Sequence, residues 1–425
     1  MNFTVRPARQ LKGEVVPPGD KSISHRALML AAIAEGESVM RGLSKCRDVM
    51  STISCLRALG ADITVEEGKT MVAGRGLAGL TVPRKILYAG NSGTTARLIS
   101  GMLAGQEFRS GITGDASLCA RPMERVAAPL RLMGAVVKLG RKGTLPIRIA
   151  GGHLKAITYE LDVPSAQAKA AVLLAGLFAK GRTTVVERFR TRNHTETMLP
   201  LFGVKVKKSG GNISIKGPAR LKAADITVPG DFSAAAAWIA AACIIPGSRL
   251  VIKGVSLNCT RMGFVAVLKR MGARIKIKKT SRGVEPKGTI EVRHAPLSGV
   301  RIGREEIPFL IDEVPLLAVV ASQAQGETLI TGVDELRHKE SDRLIYTAGL
   351  LGAMCARLRV LADGFLIQGP QKLKGSTIIT GGDHRIAIAA AVAALAAEGE
   401  TVIKNSESVR VSYPNFFKDL KKLSR

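Results

Sequence analysis

Aromatic side chains are scarce: phenylalanine, tyrosine and tryptophan make up 4% of 425 residues, and Trp238 is the only tryptophan. So few rings leave little on which to stack unpaired bases, which counts against a protein that grips single-stranded nucleic acid. Acidic residues are also few, 34 against 63 lysines and arginines, for a net charge of +29. A positive excess attracts nucleic acid, membrane lipid and small anions alike, and equally describes a solvated face tuned for solubility; sign alone does not choose. The six cysteines (Cys46, Cys55, Cys119, Cys243, Cys259, Cys355) form no Cys-x-x-Cys pair and have no histidine at metal-ligand spacing. That spacing predicts free thiols in a reducing compartment rather than a disulfide framework or a zinc site.

No apolar stretch reaches the roughly 20 residues needed to cross a membrane. The longest, Ala234 to Ile245 and Ile386 to Ala397, are Ala-rich and read as buried helices. The start, Met1-Asn2-Phe3-Thr4-Val5-Arg6, has no basic head followed by an apolar stretch and a cleavage site, so the expected location is the cytoplasm. A Walker A sequence is missing, and no Gly-x-Ser-x-Gly elbow carries its usual context. Gly74-Arg75-Gly76-Leu77-Ala78-Gly79 matches the dinucleotide spacing by letter, but it leads into Leu80-Thr81-Val82-Pro83. A pyrophosphate there would meet no helix terminus, and the segment reads as a turn between strands.

What the chain does have is one pattern repeated six times. A small polar cluster opens an Ala/Leu/Ile-rich run of about 12 residues, then a Gly, then a short β-branched run. The openings are Gly19-Asp20-Lys21-Ser22, Gly90-Asn91-Ser92-Gly93, Pro164-Ser165-Ala166-Gln167, Gly230-Asp231-Phe232-Ser233, Ile311-Asp312-Glu313 and Gly382-Asp383-His384-Arg385. They lead into apolar runs over 26–35, 94–104, 168–180, 234–245, 314–325 and 386–398. They recur about every 65 to 80 residues, longer than a solenoid repeat and closer to one small α/β unit each. A second amphipathic run follows in most units, closing on Leu56-Arg57-Ala58-Leu59-Gly60-Ala61, Leu130-Arg131-Leu132-Met133-Gly134-Ala135 or Leu268-Lys269-Arg270-Met271-Gly272-Ala273. Each predicts a helix stopped by a left-handed Gly, with a strand after it. One such strand, Arg274 to Lys278, alternates basic residues with isoleucine, as a strand with one wet side does. Each unit therefore reads helix, strand, helix, strand, strand. Six units imply two lobes of three, because an Ala-rich helix without a polar face must be enclosed by sheets.

The openings are where chemistry can sit. Each places unpaired backbone N–H groups and the positive end of a helix dipole beside polar side chains, and several such ends converging would trap phosphates and carboxylates. Taken singly, Asp20, Ser165, Asp231 and Asp383 are more often ordinary helix caps. The segment Lys21-Ser22-Ile23-Ser24-His25-Arg26 packs an ammonium, two hydroxyls and a guanidinium into a turn and a half. Arg121 precedes Pro122, which can open a helix. Glu335 to Arg343 holds seven ionisable groups in nine positions; if helical, it puts Lys339 and Arg343 on one face, or it is a salt-bridged solvated face. Asp312 and Glu313 open an apolar run, where a carboxylate serves as a base or as a cap.

Read together, these segments resemble the 5-enolpyruvylshikimate-3-phosphate synthase family, among the enolpyruvyl transferases. The resemblance rests on Pro18 to Arg26, Gly90 to Arg97, Gly114-Asp115-Ala116-Ser117 followed by Arg121-Pro122-Met123, Ser165-Ala166-Gln167, Arg192-Asn193-His194-Thr195-Glu196, Leu336 to Arg343 and Asp383-His384-Arg385. They stand in family order along essentially the whole chain. The resemblance implies an α/β fold of two similar lobes, each of three βαβαββ units (an inverse α/β barrel). It puts 1–19 with 229–425 in a discontinuous first lobe, 20–228 in the second, and the active site in the cleft between them.

It implies transfer of the enolpyruvyl (1-carboxyvinyl) group of phosphoenolpyruvate to the 5-hydroxyl of shikimate 3-phosphate with release of phosphate, a step of the shikimate pathway to chorismate and aromatic amino acids. By the same resemblance Lys21, Ser22, Arg26, Ser165, Ala166, Gln167, Arg192, Asp312 and Lys339 bind shikimate 3-phosphate. Lys21, Gly93, Arg121, Gln167, Arg343 and Arg385 bind phosphoenolpyruvate, and Lys21, Asp312 and Glu340 carry protons, in roles left undistributed. No metal or organic cofactor is implied. The expected partners are the two small substrates, with no nucleic acid and no membrane, and the expected form is a monomer. Val411, ahead of Ser412-Tyr413-Pro414, stands where some members carry a substrate-binding Lys, and His25 where Asn is frequent. The rival within the fold is the sister enzyme that uses a UDP-sugar and a loop Cys; Cys119, two residues before Arg121, is too close for that motif. The rival from another class is a basic nucleic-acid binder without turnover.

Overall fold

The computed structural model of the protein describes residues 1–281 and 285–424. Arg282, Gly283, Val284 and Arg425, the last of which ends the expected first lobe, lie outside the described residues. The described chain forms two compact units, one of Met1–Pro18 with Pro229–Arg425 and one of Gly19–Val228.

The unit of 19–228 carries helices α1 (Lys21–Ala32), α2 (Arg47–Ala58), α3 (Gly93–Ala104), α4 (Ala116–Cys119), α5 (Glu124–Leu132), α6 (Ala166–Gly176) and α7 (His194–Met198). The long Ala-rich helices α1, α3 and α6 are its core; every residue of α3 is buried. They start earlier than the apolar runs suggest. Asp20, Ser92 and Ser165 accept the backbone N–H three residues on, so the polar clusters form the first helical turn rather than preceding it. That shift puts Lys21 at the first position of α1 and Ala166 at the first position of α6.

Around these helices stand three four-stranded sheets of one topology. Their orders are Ile226–Thr227, Glu35–Arg41, Lys69–Arg75, Asp62–Val65; then Leu87–Tyr88, Arg109–Thr113, Ile147–Ala150, Val136–Lys138; then Thr158–Glu160, Gly181–Val186, Asn212–Gly217, Lys207–Ser209. In each the first pair is parallel and the other two are antiparallel. The second helices lie amphipathically outside the enclosed ones, α2 burying Val49, Ile53 and Leu56. They stop as the sequence predicts: Gly60 and Gly134 take φ of +84° and +105°. The following N–H of Ala61 or Ala135 reaches back to the carbonyl of Leu56 or Leu130. The dinucleotide-like segment is a turn after a strand, with Gly79 N–H on the Gly76 carbonyl.

The unit of 1–18 and 229–424 repeats the plan with α8 (Phe232–Ile244), α9 (Gly263–Arg270), α10 (Val314–Gln323), α11 (Arg343–Ala353), α12 (His384–Leu395) and α13 (Phe416–Leu423). Helices α8, α10 and α12 are enclosed. Two of its sheets have four strands, ordered Lys12–Val15, Arg249–Ser256, Lys287–Arg293, Arg274–Ser281, and Arg301–Ile302, Gly326–Ile330, Gly364–Gly369, Leu358–Leu361. The strand Arg274–Ser281 buries Ile275 and exposes Lys276, the wet-sided pattern expected of it. The third sheet, Thr377–Ile379, Thr401–Lys404, Phe3–Val5, is closed by the start of the chain. Phe3 stacks on Phe417 of α13 at 3.9 Å, and Trp238 of α8 stacks on Phe416 at 5.1 Å. None of the six cysteines is paired, and among the described residues no helix is long and apolar enough to cross a membrane.

Helices α3 and α6 meet almost backbone to backbone. A methyl on Gly101 would lie 2.3 Å from the carbonyl oxygen of Ala171. Gly101→Ala is therefore expected to lower the unfolding free energy by about 1–3 kcal/mol, the usual cost of overpacking a filled core. A lower urea midpoint at unchanged m value would record it.

Candidate functional site

In the unit of 19–228 the predicted residues gather at the helix starts. The carboxylate of Asp20 caps α1 by accepting from Ile23 N–H at 3.0 Å. Lys21, in the turn so formed, donates through Nζ to Asp48 Oδ2 of α2 at 2.9 Å. Arg26, one turn on, donates from Nε to Thr195 Oγ1 at 2.8 Å and from Nη1 to the Ser22 carbonyl at 2.9 Å. His25 sits between them, its Nδ1 2.6 Å from Thr52 Oγ1. Burial, with the positive charges of Lys21 and Arg26 added, holds the imidazole well below the usual histidine range. It stays neutral and adds no charge to the helix start.

A hydroxyl relay ties α1 and α2 to α3. Thr52 Oγ1 lies 2.7 Å from Thr95 Oγ1, and Thr95 Oγ1 is 3.4 Å from the Asp48 carbonyl. Gly93 opens α3 with the guanidiniums close above it: an added Cβ would lie 2.8 Å from Nη1 of Arg97 and 3.3 Å from Nη1 of Arg121, so a larger residue there would displace them. Arg97 donates to Gln167 Oε1 at 2.7 Å, and Gln167 Nε2 donates to Thr94 Oγ1 at 2.9 Å. Arg121 donates to Asn91 Oδ1 at 2.8 Å and to Ser117 Oγ at 3.2 Å. Pro122 does not open a helix. Helix α5 begins at Glu124, and the Pro122 carbonyl instead accepts from Arg97 at 3.2 Å.

Ser165 caps α6, its Oγ accepting from Ala168 N–H at 3.2 Å. Arg192 lies on the segment between the strand Gly181–Val186 and α7, half-buried. The guanidiniums of Arg97 and Arg121 thus stand at Gly93, and Arg97 with Thr94 holds Gln167, beside the N-termini of α3 and α6, an arrangement able to bind anionic oxygens. Sequence reasoning passed over Arg97 and Asp48. Arg97 carries a signal, a guanidinium inside an apolar run; Asp48 carries none, since its role depends on Lys21, 27 residues away.

In the other unit the same geometry is built around carboxylates. Asp231 caps α8, accepting from Ser233 N–H at 2.7 Å, and the buried Arg261 donates to Ser233 Oγ at 2.6 Å. The Ser233 hydroxyl donates to the Glu313 carboxylate. Asp312 and Glu313 do not cap α10: Ile311–Glu313 is a 3-10 turn with no side-chain cap, because these carboxylates are held by other partners. Asp312 Oδ1 accepts from Arg343 Nη1 at 3.2 Å and lies 3.9 Å from Lys339 Nζ. Arg343 also donates to Asp383 at 2.8 Å and to Glu340 at 2.6 Å. Asp383 caps α12 by accepting from Arg385 N–H at 2.8 Å, and Arg385 Nη1 lies 3.5 Å from the Ser233 carbonyl.

Residues 335–343 are not one helix. A 3-10 turn over Asp334–His338 ends at an extended Lys339, and Asp342 caps a new helix, α11. Lys339 and Arg343 share Asp312 through that break, not through a common helix face. Burial alone would lower the Arg343 pKa, but Asp383, Glu340 and Asp312 outweigh it and raise it. For Lys339 burial prevails over the pull of Asp312, with Arg343 acting in the same sense as burial, so its pKa falls below the usual lysine range.

A model of the EPSP synthase (3-phosphoshikimate 1-carboxyvinyltransferase) family matches residues 5–420. The chain belongs to this family. It is 49% identical over 419 residues to the 3-phosphoshikimate 1-carboxyvinyltransferase of Pelotomaculum thermopropionicum, covering 98% of this chain and 97% of that one. It is 45% identical over 425 residues to the protein of that name from Bacillus thuringiensis subsp. konkukian, covering 99% of each. Among solved structures, EPSP synthase from Acinetobacter baumannii superposes with a TM-score of 0.88 at 41% identity, over 99% of this chain and 98% of that one. The enolpyruvyl transferase NikO from Streptomyces tendae, at 20% identity and a TM-score of 0.80 over 99% and 96% of the two chains, shares the fold. The two-lobe α/β architecture is therefore the family's own.

Two outcomes test these environments. His25 is neutral when folded and takes a proton when unfolded, so its contribution to stability is complete above about pH 6.5 and falls as pH drops toward its folded pKa. His25→Asn should remove up to about 1.4 kcal/mol per pH unit from the slope below that point, seen in urea unfolding at pH 7.5 and 5.5. Arg343→Met leaves Asp383, Glu340 and Asp312 without their shared cation and should cost about 3–5 kcal/mol, read as a lower denaturation midpoint.

Proposed function

We propose that the chain transfers the enolpyruvyl group of phosphoenolpyruvate to the 5-hydroxyl of shikimate 3-phosphate, releasing phosphate, on the way to chorismate and the aromatic amino acids. The observation that carries the reading is a family match over residues 5–420 in a chain whose Lys21, Gly93, Arg121 and Gln167 crowd one set of helix starts. We assign shikimate 3-phosphate to Lys21, Ser22, Arg26, Ser165, Ala166, Gln167, Arg192, Asp312 and Lys339. Phosphoenolpyruvate goes to Lys21, Gly93, Arg121, Gln167, Arg343 and Arg385.

Addition comes first. The 5-hydroxyl oxygen attacks C2 of phosphoenolpyruvate while its proton goes to a base and the methylene carbon takes a proton, giving a tetrahedral ketal with a methyl group. Elimination then breaks the C2–O bond to phosphate and removes one methyl proton, which restores the double bond. Only protons and C–O bonds change hands, so no step calls for a redox group. Lys21, Asp312 and Glu340 are the proton carriers, each a titratable group with an oppositely charged neighbour. Positive charge around the transferred group stabilises the departing phosphate. The working form is proposed as a cytoplasmic monomer with no nucleic-acid or membrane partner, since both substrates are small and diffusible.

Phosphate release should require phosphoenolpyruvate and shikimate 3-phosphate together and should not occur with a UDP-sugar as acceptor. Lys21→Met and Asp312→Asn, one change in each unit, should each lower kcat by about 10²–10⁴-fold, the range for a lost proton-transfer group. Release with the UDP-sugar would assign the chain to the sister activity.

A further inference from the structure

Lys169 takes no part in the chemistry proposed above, yet it is one of the most buried cations in the chain, with 1% of its side chain exposed. It lies one turn into α6, its N–H on the carbonyl of the capping Ser165, within the run Ala168-Lys169-Ala170-Ala171-Val172. An ammonium in such surroundings costs several kcal/mol unless it is paired. Its partners are Glu187 Oε1 at 2.9 Å and Glu196 Oε1 at 2.6 Å, both nearly buried.

These two carboxylates bracket the segment that carries Arg192. Glu187 directly follows the strand Gly181–Val186, and Glu196 lies in the first turn of α7. Glu187 accepts from Thr191 N–H at 3.2 Å and from the Thr191 hydroxyl, fixing the residue beside Arg192. Arg26 adds a further tie through Thr195 at 2.8 Å. The segment is thereby held at its start, middle and end, with one ammonium closing both ends onto α6.

We infer that Lys169 is a positioning residue for the acceptor substrate. It holds Arg192 in place beside the α6 helix whose start bears Ser165, Ala166 and Gln167. The inference rests on the proposed assignment of Arg192 to shikimate 3-phosphate. A loose segment would lose about 1–2 kcal/mol of backbone entropy per residue ordered at the moment of binding. Here the ion pairs order it during folding. Without the cation, Glu187 and Glu196 are like charges sharing a dry space and push the segment apart. The consequence falls on acceptor binding and not on the proton transfers.

The test compares Lys169→Met, Lys169→Arg and Glu187→Gln with the wild type in phosphate-release kinetics. Glu187→Gln keeps the side-chain shape and decides the matter if Lys169→Met does not fold. The expected result is a rise of about tenfold in KM for shikimate 3-phosphate in Glu187→Gln and Lys169→Met, with kcat and KM for phosphoenolpyruvate within about twofold. Lys169→Arg, which keeps the charge, should recover most of the loss. Hydrogen exchange of amides 188–193 without substrate should quicken in Glu187→Gln while that of α3 and α6 does not. An unchanged acceptor KM, a loss spread equally over kcat and both KM values, or unaltered exchange in the segment overturns the inference. A wild type that binds neither substrate would overturn the proposed function instead, and the exchange measurement would still report on the segment.

Discussion

An Ala-rich helix with no polar side has one place to meet polar chemistry, its end. Helices α1, α3 and α6 in one unit, and α8, α10 and α12 in the other, are enclosed along nearly their whole length. Their unpaired N–H groups must be satisfied at the first turn. Five of the six meet that demand with an Asp or Ser cap; α10 has no side-chain cap, its Asp312 being held by Arg343 and its Glu313 by the Ser233 hydroxyl. The polar residues of these enclosed helices lie mainly toward their starts, because their flanks are covered by apolar packing. Function follows from that confinement: what a substrate can reach is a set of helix N-termini and the charged side chains packed beside them.

The two units solve the same structural problem with opposite charge placement. Gly19-Asp20-Lys21-Ser22 and Gly230-Asp231-Phe232-Ser233 share the capping Asp and the Ser two residues on, but the first has Lys21 where the second has Phe232. In the first case the opening supplies the cation and the next helix supplies Asp48. In the second Phe232 supplies no charge and Arg261, just before the next helix, supplies the cation to Asp231 and Ser233. The remaining starts diverge further. Around Gly93 the guanidiniums of Arg97 and Arg121 hydrogen-bond to amide oxygens of Gln167 and Asn91, which suits an anion grip. Around Arg343 three carboxylates converge beside Lys339, which suits proton traffic.

Much of this was legible before any coordinates. The repeat, the helix–strand–helix–strand–strand order, the left-handed Gly60, Gly134 and Gly272, and the grouping of candidate residues at the openings all rest on interactions within a few residues along the chain. The misreadings share a different cause. Pro122 and the carboxylates of Asp312 and Glu313 carry the local signs of a helix start, and the 335–343 run those of a helix face. In each, a distant partner claimed the group: Arg97 took the Pro122 carbonyl, Arg343 took Asp312, and the Ser233 hydroxyl took Glu313.

What the sequence by itself determined is the repeating order of the elements, the glycine stops of the second helices and the family, since periodicity and glycine conformation act within about one turn. Only the tertiary structure decided which polar group meets which: Lys21 with Asp48, Arg97 with Gln167, Arg343 with Asp383, Lys169 with Glu187 and Glu196. It also decided that Phe3–Val5 completes the last sheet, beside Thr401–Lys404 at the far end of the chain. Such pairings join residues from tens to hundreds of positions apart. They exist only once enclosed helices have packed and excluded the water that would otherwise screen every one of those charges.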